Sequence, residues 1–101
     1  MNTILIEGLK QKIELTADFF YKQKSFGGYQ VLISVIDDLM VLASELKAFS
    51  DHAEVILVYQ ELAEKLQEIT EAMEQKDTIL IADMLKYDII ELLDKVTKLE
   101  I

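Results

Sequence analysis

The sequence predicts an all-α fold, an up-down-up-down antiparallel four-helix bundle. Three observations predict it. Apolar residues recur at alternating three- and four-residue steps through four segments, and none of them sustains the every-second-residue alternation of a strand. The breaks between segments are only a few residues long, so successive helices must lie side by side and run in opposite directions. The chain has 101 residues and no proline, the length of one domain, read as a single unit over 1–101.

The first helix is expected over about 3–24, with Leu5, Leu9, Ile13, Thr16 and Phe20 as its inward stripe. Asn2 or Thr3 can cap its start, and Lys22 and Lys24 suit its negative end. The second is expected over about 28–48, with Leu32, Ile36, Leu39, Ala43 and Leu46 facing inward. The third is expected over about 51–75, where Asp51 and Glu54 have capping-box spacing. Its stripe is Val55, Tyr59, Leu62, Leu66, Ile69 and Met73. The fourth is expected over about 77–99, with Asp77 as N-cap and Ala82, Leu85, Ile89, Leu92, Val96 and Leu99 inward. Near-heptad stripes favour close, almost parallel packing at about 20°.

Helices two and four carry more apolar surface than one stripe needs. The extra rows are Val31, Val35, Leu42 and Phe49 on helix two, and Ile81, Ile90 and Leu93 on helix four. A small bundle helix usually presents one apolar face. The surplus is therefore expected to dock a protein partner, with Val31, Val35, Leu42, Ile81, Ile90 and Leu93 as the partner-binding residues. A wide core stripe is the alternative.

Composition narrows the partners. There are 19 acidic residues against 10 lysines, no arginine, and a net charge of −9. Such a surface repels nucleic-acid phosphates and anionic lipid heads, so neither nucleic acid nor membrane is expected as a partner. Residues 51–101 carry most of the excess acid. No cysteine is present, which removes disulfides, thiolate nucleophiles and thiolate metal sites. The apolar run Ile4-Leu5-Ile6 is too short for a signal-peptide core. The stretch from Tyr29 to Leu42 is broken by Asp37-Asp38 before it reaches the ~18 apolar residues of a membrane span. A cytoplasmic location is the expectation.

Little in the sequence resembles a reaction centre. A dimetal carboxylate bundle needs Glu-x-x-His pairs on two helices, and the one histidine, His52, has Phe49 three residues before it. Glu61, Glu64, Glu68 and Glu71 follow one another at three- and four-residue steps and read as a solvated stripe, with Lys65 pairing to Glu61. Ser25, Ser34, Ser44 and Ser50 have no base arranged beside them. No catalytic residue, cofactor or metal ligand is expected. Phe19, Phe20, Tyr21, Phe26 and Tyr29 cluster around the first turn and read as an aromatic cap on the bundle end. Between them, Gly27-Gly28 is the only glycine pair. With no strand before it, the pair is a structural turn, not a phosphate cradle. Gly27 is expected to end helix one at positive φ, and Gly28 to start helix two.

The stretch ITEAMEQKDTILIADMLKYDIIELLDKV resembles the C-terminal hairpin of small, uncharacterised helical-bundle proteins of clostridia and bacilli. The matching positions are Ala72, Glu74, Asp77, Ala82, Asp83, Leu85, Tyr87, Asp88, Leu92 and Leu93. Glu91 stands where that family often has proline. The resemblance implies a helical hairpin and brings no activity or catalytic residues. A fainter likeness, in acidity, helical architecture and the glycine turn, is to flagellar export chaperones. It implies that an apolar row would hold an amphipathic client helix. The expected function is a non-enzymatic interaction bundle, acting as homo-oligomer, adaptor or small chaperone, with a homodimer as the first expectation. A small-molecule- or metal-binding enzyme with an unrecognised site in the bundle is the alternative.

Overall fold

Four helices make up the protein in a computed structural model that describes residues 3–99. They are α1 (Thr3–Tyr21), α2 (Ser25–Lys47), α3 (Ala53–Glu74) and α4, which runs without a break through Thr78–Asp83, Met84–Ile89 and Ile90–Thr97. There is no strand among the described residues. Each helix packs against two others around a square: α1 on α2 and α4, and α3 on α2 and α4. Paired side chains give the sense of each contact. On α1 and α2, Lys12 meets Asp38 while Phe20 meets Tyr29. On α1 and α4, Lys10 meets Asp94 and Tyr21 meets Asp83. On α3 and α4, Glu61 meets Lys95 and Lys65 meets Asp88. In each pair one number rises as the other falls, so these neighbours are antiparallel.

The core is almost wholly apolar. Leu9, Ile13, Phe20, Leu32, Leu39, Leu46, Val55, Leu62, Ile69, Leu85, Ile89 and Val96 are among its buried members. Among the described residues its one buried polar side chain, Thr16, donates its hydroxyl to the Lys12 carbonyl at 2.7 Å within α1, so it costs little. The start of the α1 stripe is shifted: Ile6 is buried, whereas the expected Leu5 is 39% exposed.

The helix ends differ from the sequence expectation. Helix α1 stops at Tyr21, three residues early, and Gln23, not Gly27, adopts the left-handed conformation at φ 60. Lys24 N–H donates to the Phe19 carbonyl and Gln23 N–H to the Phe20 carbonyl, the double bond of a Schellman turn. The turn after α3 repeats this pattern. Lys76 has φ 56, Asp77 N–H reaches Ala72, and Lys76 N–H reaches Met73. Asp77 then caps α4 as expected, accepting from Leu80 N–H at 3.1 Å. The link between α2 and α3 is looser. His52 is the N-cap of α3 and makes no side-chain capping bond, so the expected Asp51–Glu54 capping box does not form. A cap from Asn2 lies outside the described residues.

Gly27 and Gly28 lie inside the first turns of α2, which begins at Ser25, not at 28. Neither has positive φ. Gly28 is needed for close approach: a Cβ there would stand 2.6 Å from a Phe20 ring carbon. The expectation of a turn glycine is corrected by this packing. The chain reverses earlier, on Gln23, and the glycine lets α2 lie against the buried phenyl ring.

Helix α4 contains a π-helical stretch, Met84–Ile89. Buried residues run nearly without pause through Ile81, Ala82, Met84, Leu85, Ile89, Leu92 and Leu93. Ile81, Leu85, Ile89 and Leu92 recur at three- and four-residue steps and line one face of α4, with Ala82, Met84 and Leu93 beside them, and the π turn lies within that face.

Candidate functional site

The residues expected to dock a partner are inside the bundle. Val35, Leu42, Ile81 and Leu93 are buried, and Val31 and Ile90 are half-buried against the core. The cause is rotational. Val31, Val35 and Leu42 share a row with Asp38 at three- and four-residue steps, and Asp38 accepts from Lys12 of α1 at 2.9 Å. That row therefore faces α1. On α4, Leu92 and Leu93 are both buried, so the inward face is wide enough to take two adjacent positions. These positions form a wide core stripe in which Val35, Leu42, Ile81 and Leu93 are covered by the fold and Val31 and Ile90 keep partial exposure at its edge.

A different row of α2 is exposed. Phe26, Ile33 and Met40 are 79%, 61% and 58% exposed. They follow one another at seven-residue steps, on the side of α2 away from the Lys12 clasp. Tyr29, Ile36 and Ala43 lie half-buried between this row and the core. Met40 and Ala43 share a shallow hollow of about 250 Å³ with Ser44, Lys47 and Tyr59 of α3, which places the row on the α3 side. On α3 the flank toward α2 carries Ile56, Ala63 and Thr70, also at seven-residue steps and also exposed. Phe26 does not fold back onto the bundle end as expected of an aromatic cap. Phe20 and Tyr29 do close that end, edge to face at 5.1 Å.

Electrostatics set the α2/α3 side apart. The α1/α2 seam is clasped by the Lys12 ammonium, which bridges Ser34 and Asp38 at 2.9 Å each. The α1/α4 seam has Lys10–Asp94 and Tyr21–Asp83. The α3/α4 seam has Lys95–Glu61 at 3.1 Å and Lys65–Asp88 at 3.4 Å. Among the described residues, no side-chain ion pair or hydrogen bond joins α2 to α3. The acidic stripe of α3 is turned the other way: Glu61 binds Lys95, and Glu68 binds Lys65 at 3.0 Å, replacing the expected Lys65–Glu61 pair. No charged side chain occurs on α2 from Ser25 to Ile36. By length and composition α2 is apolar enough to cross a membrane, with a mean hydropathy of 1.5, yet 28% of that window is buried in the bundle. Much of its apolar surface faces outward.

A polar cluster occupies the opposite corner, where the π turn meets α1. The Tyr21 hydroxyl donates to the Asp83 carboxylate, and the Lys86 ammonium stands 5.7 Å and 5.9 Å from the Tyr21 and Tyr87 ring centres. A hollow of about 430 Å³ beside it is lined by Glu14, Leu15, Asp18, Tyr21 and Lys86, among others. Partial burial, reinforced by the bond to Asp83, pushes the Tyr21 phenol up to about 12. A phenol held protonated is a poor general base near neutral pH, and the Lys86 charge already sits over both rings. Among the described residues no group of three or more His, Asp or Glu side chains is arranged to hold a metal. His52 is exposed at the head of α3, 3.9 Å from the Asp51 carboxylate.

Phe26, Ile33 and Met40 keep a strict seven-residue step in the sequence, but Phe26 lies before the expected start of helix two at 28, which leaves only two members of the row on that helix.

The family model for a domain of unknown function, DUF8042, matches residues 4–99, and the chain belongs to that family. Neither the curated proteins nor the solved structures contain a significant match to it.

Proposed function

We propose that this member of the DUF8042 family is a non-enzymatic interaction bundle that docks another protein surface through the α2/α3 face. The observation that carries the reading is the exposed Phe26–Ile33–Met40 row, on the seam that no polar cross-link clasps. Three such side chains leave on the order of 400 Å² of apolar surface in water, the scale at which exposed patches mark interaction sites. The face fits an α-helical or similarly ridged apolar partner, whether the chain acts as homo-oligomer, adaptor or small chaperone. The likeness to flagellar export chaperones supports the same kind of contact, in which an apolar row holds an amphipathic helix.

The test is the pair Ile33→Glu and Met40→Glu, measured for helicity, thermal stability and association with an uncharged amphipathic helical peptide or with itself. The reading expects native helicity, an unchanged melting temperature and lost association. Association that persists in the double variant moves the docking surface elsewhere. A large loss of stability shows that the row is core.

A further inference from the structure

We infer that the occupant of the α2/α3 face is a second copy of this chain, crossing antiparallel on α2 with Ile33 at the two-fold axis. The inference rests on reading that face as a docking surface and adds which partner covers it.

Spacing is the first argument. Ile33 lies midway between Phe26 and Met40, so an antiparallel copy of α2 presents the same row in reverse. Phe26 of each copy then meets Met40 of the other, a sulfur–aromatic contact, and Ile33 meets itself. An isologous interface needs this self-complementarity, because a two-fold axis puts one surface patch against its own copy. Seven-residue steps let both rows stay in register along helices crossing at a shallow angle of about 20°. The neighbouring outer row places Gln30 near Asp37 of the other copy, which gives the contact a polar rim able to hydrogen-bond.

Charge is the second argument. Two chains of net charge −9 repel over most of their surfaces, and the repulsion is least where no side chain is ionised. The rows Phe26–Ile33–Met40 and Ile56–Ala63–Thr70 carry no charge themselves, and Asp37 and Lys47 flank the α2 row with opposite signs. A cationic partner helix would meet Lys47 beside Met40 and would find Glu61 and Glu68 already paired with lysines on the α4 side of α3. A neutral self-contact is what this face complements.

Area is the third. The Phe26–Ile33–Met40 row supplies on the order of 400 Å² from each copy, about half of the ~800 Å² per partner of a standard interface. A weak, concentration-dependent dimer follows.

The chain contains no cysteine, so single introduced thiols report the geometry directly. Sedimentation equilibrium of the full chain over a wide concentration range should show a monomer–dimer equilibrium, lost in Ile33→Glu with helicity unchanged. Under mild oxidation Ile33→Cys should form a disulfide dimer. Phe26→Cys mixed with Met40→Cys should cross-link faster than either variant alone. A chain that stays monomeric at every concentration overturns the inference. If that monomer still binds an uncharged amphipathic helix through Ile33, the docking face survives and the self-partner does not. Binding only to phosphatidylcholine vesicles overturns both. A dimer in which Phe26→Cys cross-links best to itself rejects the antiparallel arrangement.

Discussion

The three glycines should respond to alanine in three different ways, and the differences test the packing of α1 on α2. Gly8 is exposed in the interior of α1, and a Cβ there would meet nothing within 4 Å. Gly8→Ala should therefore gain the helix-propensity difference alone, about 0.5–1 kcal/mol. Gly27 would bring a Cβ to 3.1 Å from the Phe19 ring, which is half-buried and able to yield slightly. The gain and the crowding should nearly cancel. At Gly28 the new Cβ would stand 2.6, 2.7 and 2.9 Å from three carbons of Phe20. That ring is fully buried and held edge-on by Tyr29 at 5.1 Å, so α2 must move outward. Overpacking of this kind costs about 1–3 kcal/mol, against a helix gain of about 0.5–1 kcal/mol. The net loss should be roughly 0.5–2 kcal/mol.

Urea unfolding followed by helical circular dichroism reads all three. For a domain of this size each kcal/mol moves the melting temperature by about 4–8 °C, so the order Gly8→Ala above wild type above Gly28→Ala is easily resolved. Phe20→Leu combined with Gly28→Ala should recover a good part of the glycine cost, since residues in contact do not add. A Gly28→Ala protein as stable as Gly8→Ala refutes the close approach of α2 to Phe20.

Other consequences follow from the helix ends and the polar groups. Gln23 and Lys76 hold positive φ without being glycine, so Gln23→Gly and Lys76→Gly should each stabilise the fold by about 0.5–1 kcal/mol in the same unfolding assay. His52→Asp should supply the missing α3 cap and stabilise by about 1 kcal/mol. The Tyr29 hydroxyl is buried without a partner, so Tyr29→Phe should leave stability unchanged or raise it by about 1 kcal/mol; a clear loss would reveal a bond to that hydroxyl. Tyr21 has its folded pKa raised from 10.0 to about 12. The folded state therefore keeps its proton longer than the unfolded chain. The resulting stabilisation is present below pH 10 and is lost as pH climbs toward 12. Ultraviolet titration should show a late tyrosine that Tyr21→Phe removes, and the alkaline fall in stability should be smaller in Asp83→Asn.

How much of the molecule the sequence disclosed depends on whether a feature is periodic or relational. The four helices and their core are periodic, and Leu9, Ile13, Phe20, Leu39, Ile69 and Leu92 fall where three- and four-residue steps put them. The turns are relational. Nothing local marks Gln23 as the left-handed residue, because the Schellman bonds to Phe19 and Phe20 form whatever side chain stands there. Glycines drew attention to 27–28 for the wrong reason, since Gly28 answers to a ring eight residues earlier in another helix. The π turn is likewise unmarked, because the buried positions of α4 keep ordinary three- and four-residue steps through it.

The exposed face of α2 is hidden from the sequence by the same distinction. Helical period shows that α2 has apolar residues on more than one side, but it does not say which side meets which neighbour. In the folded chain Lys12 marks that choice, its ammonium bridging Ser34 and Asp38 to α1. With α2 so rotated, the Val31–Val35–Leu42 row turns inward and the Phe26–Ile33–Met40 row outward. The two rows cannot both be core in a bundle of four helices. Lys12→Met tests whether the clasp sets that rotation. It removes the polar clasp while keeping the aliphatic stem, so Asp38 is left partly buried without its cation. If the clasp orients α2, the chain should stay helical while Met40 loses, and Val31 gains, solvent exposure, read from methyl resonances with a soluble paramagnetic probe. If apolar packing alone sets the rotation, both exposures should match the wild type, and the clasp is a consequence of the packing.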